Sequence, residues 1–98
     1  MSLQMELLVN NDQRVLAAVE AFASEALRQT TLESTHIGGL VRLISRSTQA
    51  AIDHAYPVGE EGSIKVRIAE SHGKLTMTVR DHGMPQDIRE WQRQLQDE

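Results

Sequence analysis

The stretch from residue 64 to residue 79, IKVRIAESHGKLTMTV, consists of two runs in which apolar and polar side chains alternate. The apolar positions of the two runs are Ile64, Val66, Ile68, Leu75, Met77 and Val79. A period of two is typical of a strand that buries one face. Ser71-His72-Gly73 separates the runs, and Gly73 supplies the positive φ angle that a tight turn needs. The stretch therefore predicts an antiparallel β-hairpin.

The residues before the hairpin predict one more strand and two helices. Leu3 to Val9 alternates apolar and polar residues, which indicates a half-buried strand. Asn10 to Asp12 ends that strand and caps a helix that extends to about Gln29. A longer helix is predicted from about His36 to Ala55, because apolar residues recur there at helical spacing. The side chains predicted to face the core from the two helices are Val15, Val19, Phe22, Ala26, Leu40, Ile44, Ser47, Ala51 and Ala55.

The order of these elements predicts the fold class. A narrow apolar stripe over residues 88–95 indicates a short C-terminal helix. The sequence thus predicts one α+β domain over residues 1–98, with the order β-α-α-β-β-α. Its architecture is a two-layer sandwich, with helices on one face of an antiparallel sheet. Gly38 and Gly39, near the start of the second helix, are interpreted as points of close packing against the first helix.

Composition and charge restrict the function. The 98 residues carry a formal net charge of −4, which argues against a nucleic-acid binder with a basic face. The chain has no cysteine, so disulfides and thiolate metal sites are excluded. No run of about 18 apolar residues is present, and Met1 to Val9 lacks the features of a signal peptide. The expected setting is the cytoplasm, without nucleic acid or membrane as a partner.

Two short motifs give the pattern a family resemblance. IDHAYP (residues 52–57) ends the long helix, and VRDHGMP (residues 79–85) ends the hairpin. With the order of elements, they resemble the anti-sigma-factor serine kinase branch of the histidine kinase-like (GHKL) ATPases. In that family the long helix carries a glutamate and, four residues later, an asparagine, and it ends in a His-Ala-Tyr or similar triplet. The second hairpin strand of the family ends in Asp-x-Gly-x-Gly.

The resemblance implies a nucleotide site at the end of the hairpin. Asp81 matches the aspartate that accepts a hydrogen bond from the adenine amino group. Gly83 matches the glycine that lets the backbone approach the base. Pro85 stands where the family has its next glycine, and no glycine follows Gly83, so the phosphate-cradling loop of the family is missing from this sequence. Either the domain is shortened and incomplete, or the sequence is a piece of a longer chain.

The same resemblance places two unusual residues on the long helix. Aligning His54 with the family triplet puts the magnesium-binding asparagine of the family at Ala50 and its catalytic glutamate at Arg46. Alanine has no oxygen to offer a hard cation, and arginine cannot accept a proton. Gln49 lies about 100° away around the helix and does not replace Ala50. Arg46, Ala50, Asp53 and His54 thus mark a degenerate pocket, with no catalytic residue and no metal ligand predicted.

The leading prediction is a degenerate ATPase-like regulatory domain in bacterial signalling that acts mainly by protein–protein binding. The resemblance implies a sigma factor or an anti-anti-sigma-like protein as partner, and homodimers, which are common in the family. No cofactor is expected to be required, ATP or ADP is expected to bind weakly, and Mg²⁺ is not expected.

Three alternatives stay open. The first is a nucleotide-binding anti-sigma factor with the serine/threonine kinase activity of the family. The second is metal-free nucleotide binding, in which Arg46 pairs with phosphate. The third is a metal site formed by Asp53, His54, Asp81 and His82.

Overall fold

The computed structural model describes residues 2–81, which form a three-stranded antiparallel sheet and two α-helices. The elements in chain order are β1 (Leu3–Asn10), α1 (Leu16–Arg28), α2 (Ser34–His54), β2 (Ser63–Ser71) and β3 (Lys74–Asp81). A 3-10 turn, Gln13–Val15, leads into α1. The predicted α+β class is confirmed, and so is the element order through the hairpin. The predicted C-terminal helix lies outside the described residues.

The register of the sheet gathers its apolar side chains on one face. The strand order is β1-β2-β3, and both neighbouring pairs are antiparallel. Leu7 pairs with Val66, and Val66 pairs with Val79, so these residues form one row across the three strands. Ile64, Val66 and Ile68 have no exposed surface. A slip of one residue would turn this set toward solvent, so the buried face fixes the register.

The hairpin turn between β2 and β3 has two residues in the left-handed region. His72 and Gly73 have φ angles of 54° and 75°. Positive φ at both central residues is the geometry of a type I′ turn, whose twist matches that of the flanking strands. The positive φ predicted at Gly73 is confirmed. The positive φ at His72 was not predicted, because histidine adopts this conformation much less often than glycine does.

The two helices cover one face of the sheet and pack against each other. α1 lies against β1 and β2, and α2 lies against β2 and β3. The helix residues that are buried in the core are Val19, Ala23, Ala26, Leu27, Leu40, Ile44 and Ala51. Thr48 is also fully buried, and its hydroxyl donates to the carbonyl oxygen of Ile44 at 2.8 Å. This bond within α2 lets a polar residue lie in the core without an unsatisfied group.

The close packing predicted for Gly38 and Gly39 is wrong. Both residues are exposed, and a Cβ built on either one would meet no atom within 4 Å. The polar contacts between the helical segments lie farther along α2, where Ser45 donates to Glu20 at 2.7 Å. The glycines therefore lie on the solvent side of α2 and make no contact with α1.

Within residues 2–81, neither helix combines the length and the apolar character that a bilayer span requires.

We expect the substitution Gly39→Ala to stabilise the protein. The site is helical and open, and alanine in a helix interior is more favourable than glycine by about 0.5–1 kcal/mol. Urea or thermal unfolding followed by circular dichroism measures the change. A decrease in the free energy of unfolding would show that a neighbour does occupy the space beside this glycine.

Candidate functional site

The positions singled out on the long helix follow one flank of α2. Arg46, Ala50 and His54 are spaced four residues apart, so they lie one above the other on the helix surface. Arg46 and His54 are exposed, and Ala50 is half-buried. Among residues 2–81, no hydrogen bond or ion pair of the Arg46 side chain is present. The structure thus places the guanidinium of Arg46 and the methyl group of Ala50 on one flank of the helix.

Asp81 lies at the end of β3, on the face that the helices cover. The alternation of the strand puts it on the same side as the buried residues Met77 and Val79, and its own side chain is half-buried. In the register it is opposite Ile64, at the start of β2. Since β2 follows the loop that leaves α2, Asp81 and the C-terminal end of α2 lie at the same end of the sandwich. Gly83 is outside the described residues, so its predicted role stays a prediction.

The loop between α2 and β2 is held by Tyr56. The tyrosine hydroxyl donates to the carbonyl oxygen of Ser63 at 2.8 Å, across the whole length of the loop. The tyrosine ring lies against Gly62, and a Cβ at that glycine would overlap three ring carbons. In this structure, therefore, Tyr56 fastens the end of α2 to the start of β2. The motif IDHAYP alone does not indicate this role of Tyr56.

Asn11 holds the same loop through side-chain and backbone hydrogen bonds. Its side-chain amide donates to the carbonyl oxygen of Glu60 at 2.8 Å, and its side-chain oxygen accepts from the Gly62 N–H at 3.1 Å. The Asn11 backbone N–H also donates to the carbonyl oxygen of Gly62 at 3.0 Å. The residue predicted to end β1 and cap a helix therefore has a further role. It ties β1 to the loop that leads into β2.

The side chain of Gln49 is engaged on the α1 side of α2. It exchanges two hydrogen bonds of 2.8 Å with Gln13, one in each direction. It also donates to Asp53 at 3.0 Å, which gives that exposed carboxylate a partner within the helix. The amide next to Ala50 in sequence is thus directed toward the start of α1.

An open depression of about 440 Å³ lies where β1 meets α1. Its lining consists of Val9, Asn10, Asp12, Arg14, Val15 and Ala18. Asp12 caps the 3-10 turn by accepting from the Arg14 N–H at 2.8 Å, and it also pairs with the guanidinium of Arg14 at 2.6 Å. Hydrogen bonds from Arg14 lower the pKa of Asp12 from 3.8 to about 2. Because the two charges neutralise each other, the depression offers little to a charged ligand.

At position 50, where the resemblance predicts the magnesium ligand, α2 offers no oxygen atom from its side chain. Ala50 presents only a methyl group, and Mg²⁺ requires oxygen ligands. In the part of the chain that the structure describes, no three histidine, aspartate or glutamate side chains form a group able to hold a metal ion. Asp53, His54 and Asp81 therefore do not form such a group by themselves. His82, the fourth residue of the hypothesised metal site, is outside that part.

Comparison with known proteins gives a family match. A family model described as "Histidine kinase-like ATPase domain" matches residues 9–98. The matched range contains both helices and the hairpin. Of β1 it contains only Val9 and Asn10. A search of curated proteins finds no match to the chain.

We expect the substitution Gly62→Ala to destabilise the protein by about 1–3 kcal/mol, because the new methyl group overlaps the Tyr56 ring. Chemical denaturation measures the change, with Gly39→Ala as the matched control at an open position. The double variant Gly62→Ala/Tyr56→Ala should show a smaller effect of the glycine substitution than the single variant does. An equal effect in both backgrounds would mean that the ring is not the obstacle.

Proposed function

Since the chain belongs to the histidine kinase-like ATPase domain family, we propose that it is a regulatory domain that has lost metal-dependent nucleotide chemistry. It acts by binding a protein partner. The observation that carries this proposal is the pair of residues on the flank of α2, Arg46 and Ala50.

The α2 flank lacks both groups that ATP chemistry needs there. A magnesium ion requires an oxygen ligand at position 50, where the chain has a methyl group. Activation of a nucleophile requires a proton acceptor at position 46, where the chain has an arginine that stays protonated. Gln49 is the nearest amide, and its hydrogen bonds to Gln13 and Asp53 direct it away from this flank. Two independent losses on one helix support a non-catalytic role.

The position proposed to contact adenine, Asp81, keeps a side chain suited to that contact. Asp81 is half-buried on the helix-covered face, where a carboxylate is suited to accept a hydrogen bond from an exocyclic amine. One such contact, without a metal ion to hold the phosphates, accounts for weak binding of ATP or ADP at most. Nucleotide is therefore not a required cofactor in this proposal.

The motifs IDHAYP and VRDHGMP support a place among the anti-sigma-factor kinases within the larger family. The partner class is then a bacterial sigma factor or an anti-anti-sigma-like protein, met in the cytoplasm. The domain would bind that partner through its surface, and no phosphoryl transfer would be required.

We expect ATP to bind with a Kd weaker than about 100 µM, and addition of Mg²⁺ to leave the affinity unchanged. Isothermal titration calorimetry of the chain with ATP, with Mg²⁺ or with EDTA, measures both quantities. The variant Arg46→Glu/Ala50→Asn is the matched control, because it restores the two family side chains on the same helix. Low-micromolar binding that depends on Mg²⁺ in the unmodified chain would overturn the proposal.

A second function, metal-free nucleotide binding, is favoured by one observation about Arg46. Its guanidinium is exposed and has no carboxylate partner among residues 2–81, so it is available to pair with a phosphate group. In this alternative the arginine provides the positive charge that the metal ion provides in active relatives.

We expect Arg46→Ala to lower the affinity for ATP in EDTA about tenfold, if Arg46 contacts phosphate through a charge-assisted pair. Arg42→Ala is the control, because Arg42 is also an exposed arginine and lies one turn earlier on α2. Competition with a fluorescent ATP analogue measures both variants. Unchanged binding by the Arg46 variant would remove this alternative.

A further inference from the structure

The face of the sheet turned away from the helices carries an exposed row of large side chains. Leu8 pairs with Lys65 on β2, and Lys65 pairs with Arg80 on β3, so the three residues lie side by side. All three are exposed, and Leu8 is 62% exposed. The neighbouring row contains Glu6 and Arg67, which pair with each other. The outer face is defined here as Glu6, Leu8, Lys65, Arg67 and Arg80.

Positive charge is in excess on the outer face. Its only carboxylate, Glu6, lies 3.6 Å from the ammonium of Lys65, and both side chains are partly exposed. Arg67 donates to a neutral oxygen, that of Gln4, at 3.0 Å. The side chain of Arg80 has no hydrogen bond or ion pair within the described part of the chain. This positive face belongs to a chain whose formal net charge is −4.

The pairing of two positively charged side chains reduces the stability of the sheet. Lys65 and Arg80 are direct cross-strand partners, and like charges in that position destabilise a strand pair. An acidic residue at position 80 would be more favourable for folding, because it would face Lys65. Surface groups that reduce stability in this way are commonly those that binding requires. An anionic group placed between Lys65 and Arg80 would remove the repulsion.

We infer that the outer face docks a segment of a protein partner that carries acidic side chains around an apolar residue. The acidic groups pair with Lys65, Arg67 and Arg80, and the apolar residue contacts Leu8. Charge complementarity selects this occupant, since electrostatic matching steers association and excludes like-charged partners. A second copy presenting the same face would bring cations against cations. The inference uses the proposed function only in that a protein partner exists, and it does not depend on the nucleotide pocket.

The test is an NMR titration of the full chain with a synthetic peptide that has four glutamates around one leucine. We expect the amide resonances of Leu8, Lys65, Arg67 and Arg80 to shift, and the affinity to fall as NaCl is raised. A peptide with lysine in place of glutamate is the control and should not bind. Shifts confined to other residues would overturn the inference. So would binding to phosphatidylserine vesicles without binding to the acidic peptide.

The substitution Arg80→Glu separates binding from folding. We expect it to lower the affinity for the acidic peptide about tenfold. Because the new carboxylate faces Lys65, the Tm should rise by roughly 1–5 °C. Arg42→Glu, the same reversal on the exposed side of α2, should leave the peptide affinity unchanged.

Two results for Arg80→Glu would contradict the inference. One is unchanged peptide affinity. The other is a fall in Tm, which would mean that acidic residues of the chain itself already occupy Arg80. Neither result bears on the ATP titration, so failure of this inference and failure of the proposed function are distinguishable.

Discussion

The structure depends on the need to cover one apolar face of the sheet. β1, β2 and β3 each present alternate apolar residues, and the register aligns them in rows such as Leu7, Val66 and Val79. Two helices bury these rows, so the helices and the strand register determine each other. The position of Asp81 follows from this constraint. It is the next residue on the buried face of β3 after Val79, at the end of the sheet where α2 terminates.

Much of the fold could be predicted because it is periodic. The alternation over residues 64–79 identified the hairpin, and helical spacing placed α2 within two residues of its observed bounds, Ser34–His54. Features that depend on individual contacts were missed. Thr48 is buried although its side chain is polar, because its hydroxyl bonds within the helix. Gly38 and Gly39 were assigned to a helix contact, since the sequence does not indicate how α2 is rotated about its axis.

The candidate site also has features that could be predicted from the sequence and features that could not. Arg46, Ala50 and Asp81 could be placed from motif spacing, because residues on one helix or strand keep fixed intervals. The environment of those residues could not be predicted, since it is created by partners distant in sequence. Gln49 is bonded to Gln13, and the Tyr56 loop is bonded to Asn11 at the far end of β1. The structure therefore adds to the sequence mainly the hydrogen-bond partners that hold the polar groups next to Ala50.

The fastening of the loop between α2 and β2 has a mechanical consequence. Tyr56 bridges the loop to Ser63, and Asn11 binds its backbone at Glu60 and Gly62. A hinge at this point would have to break these bonds together, so the C-terminal end of α2 and the start of β2 move as a rigid unit.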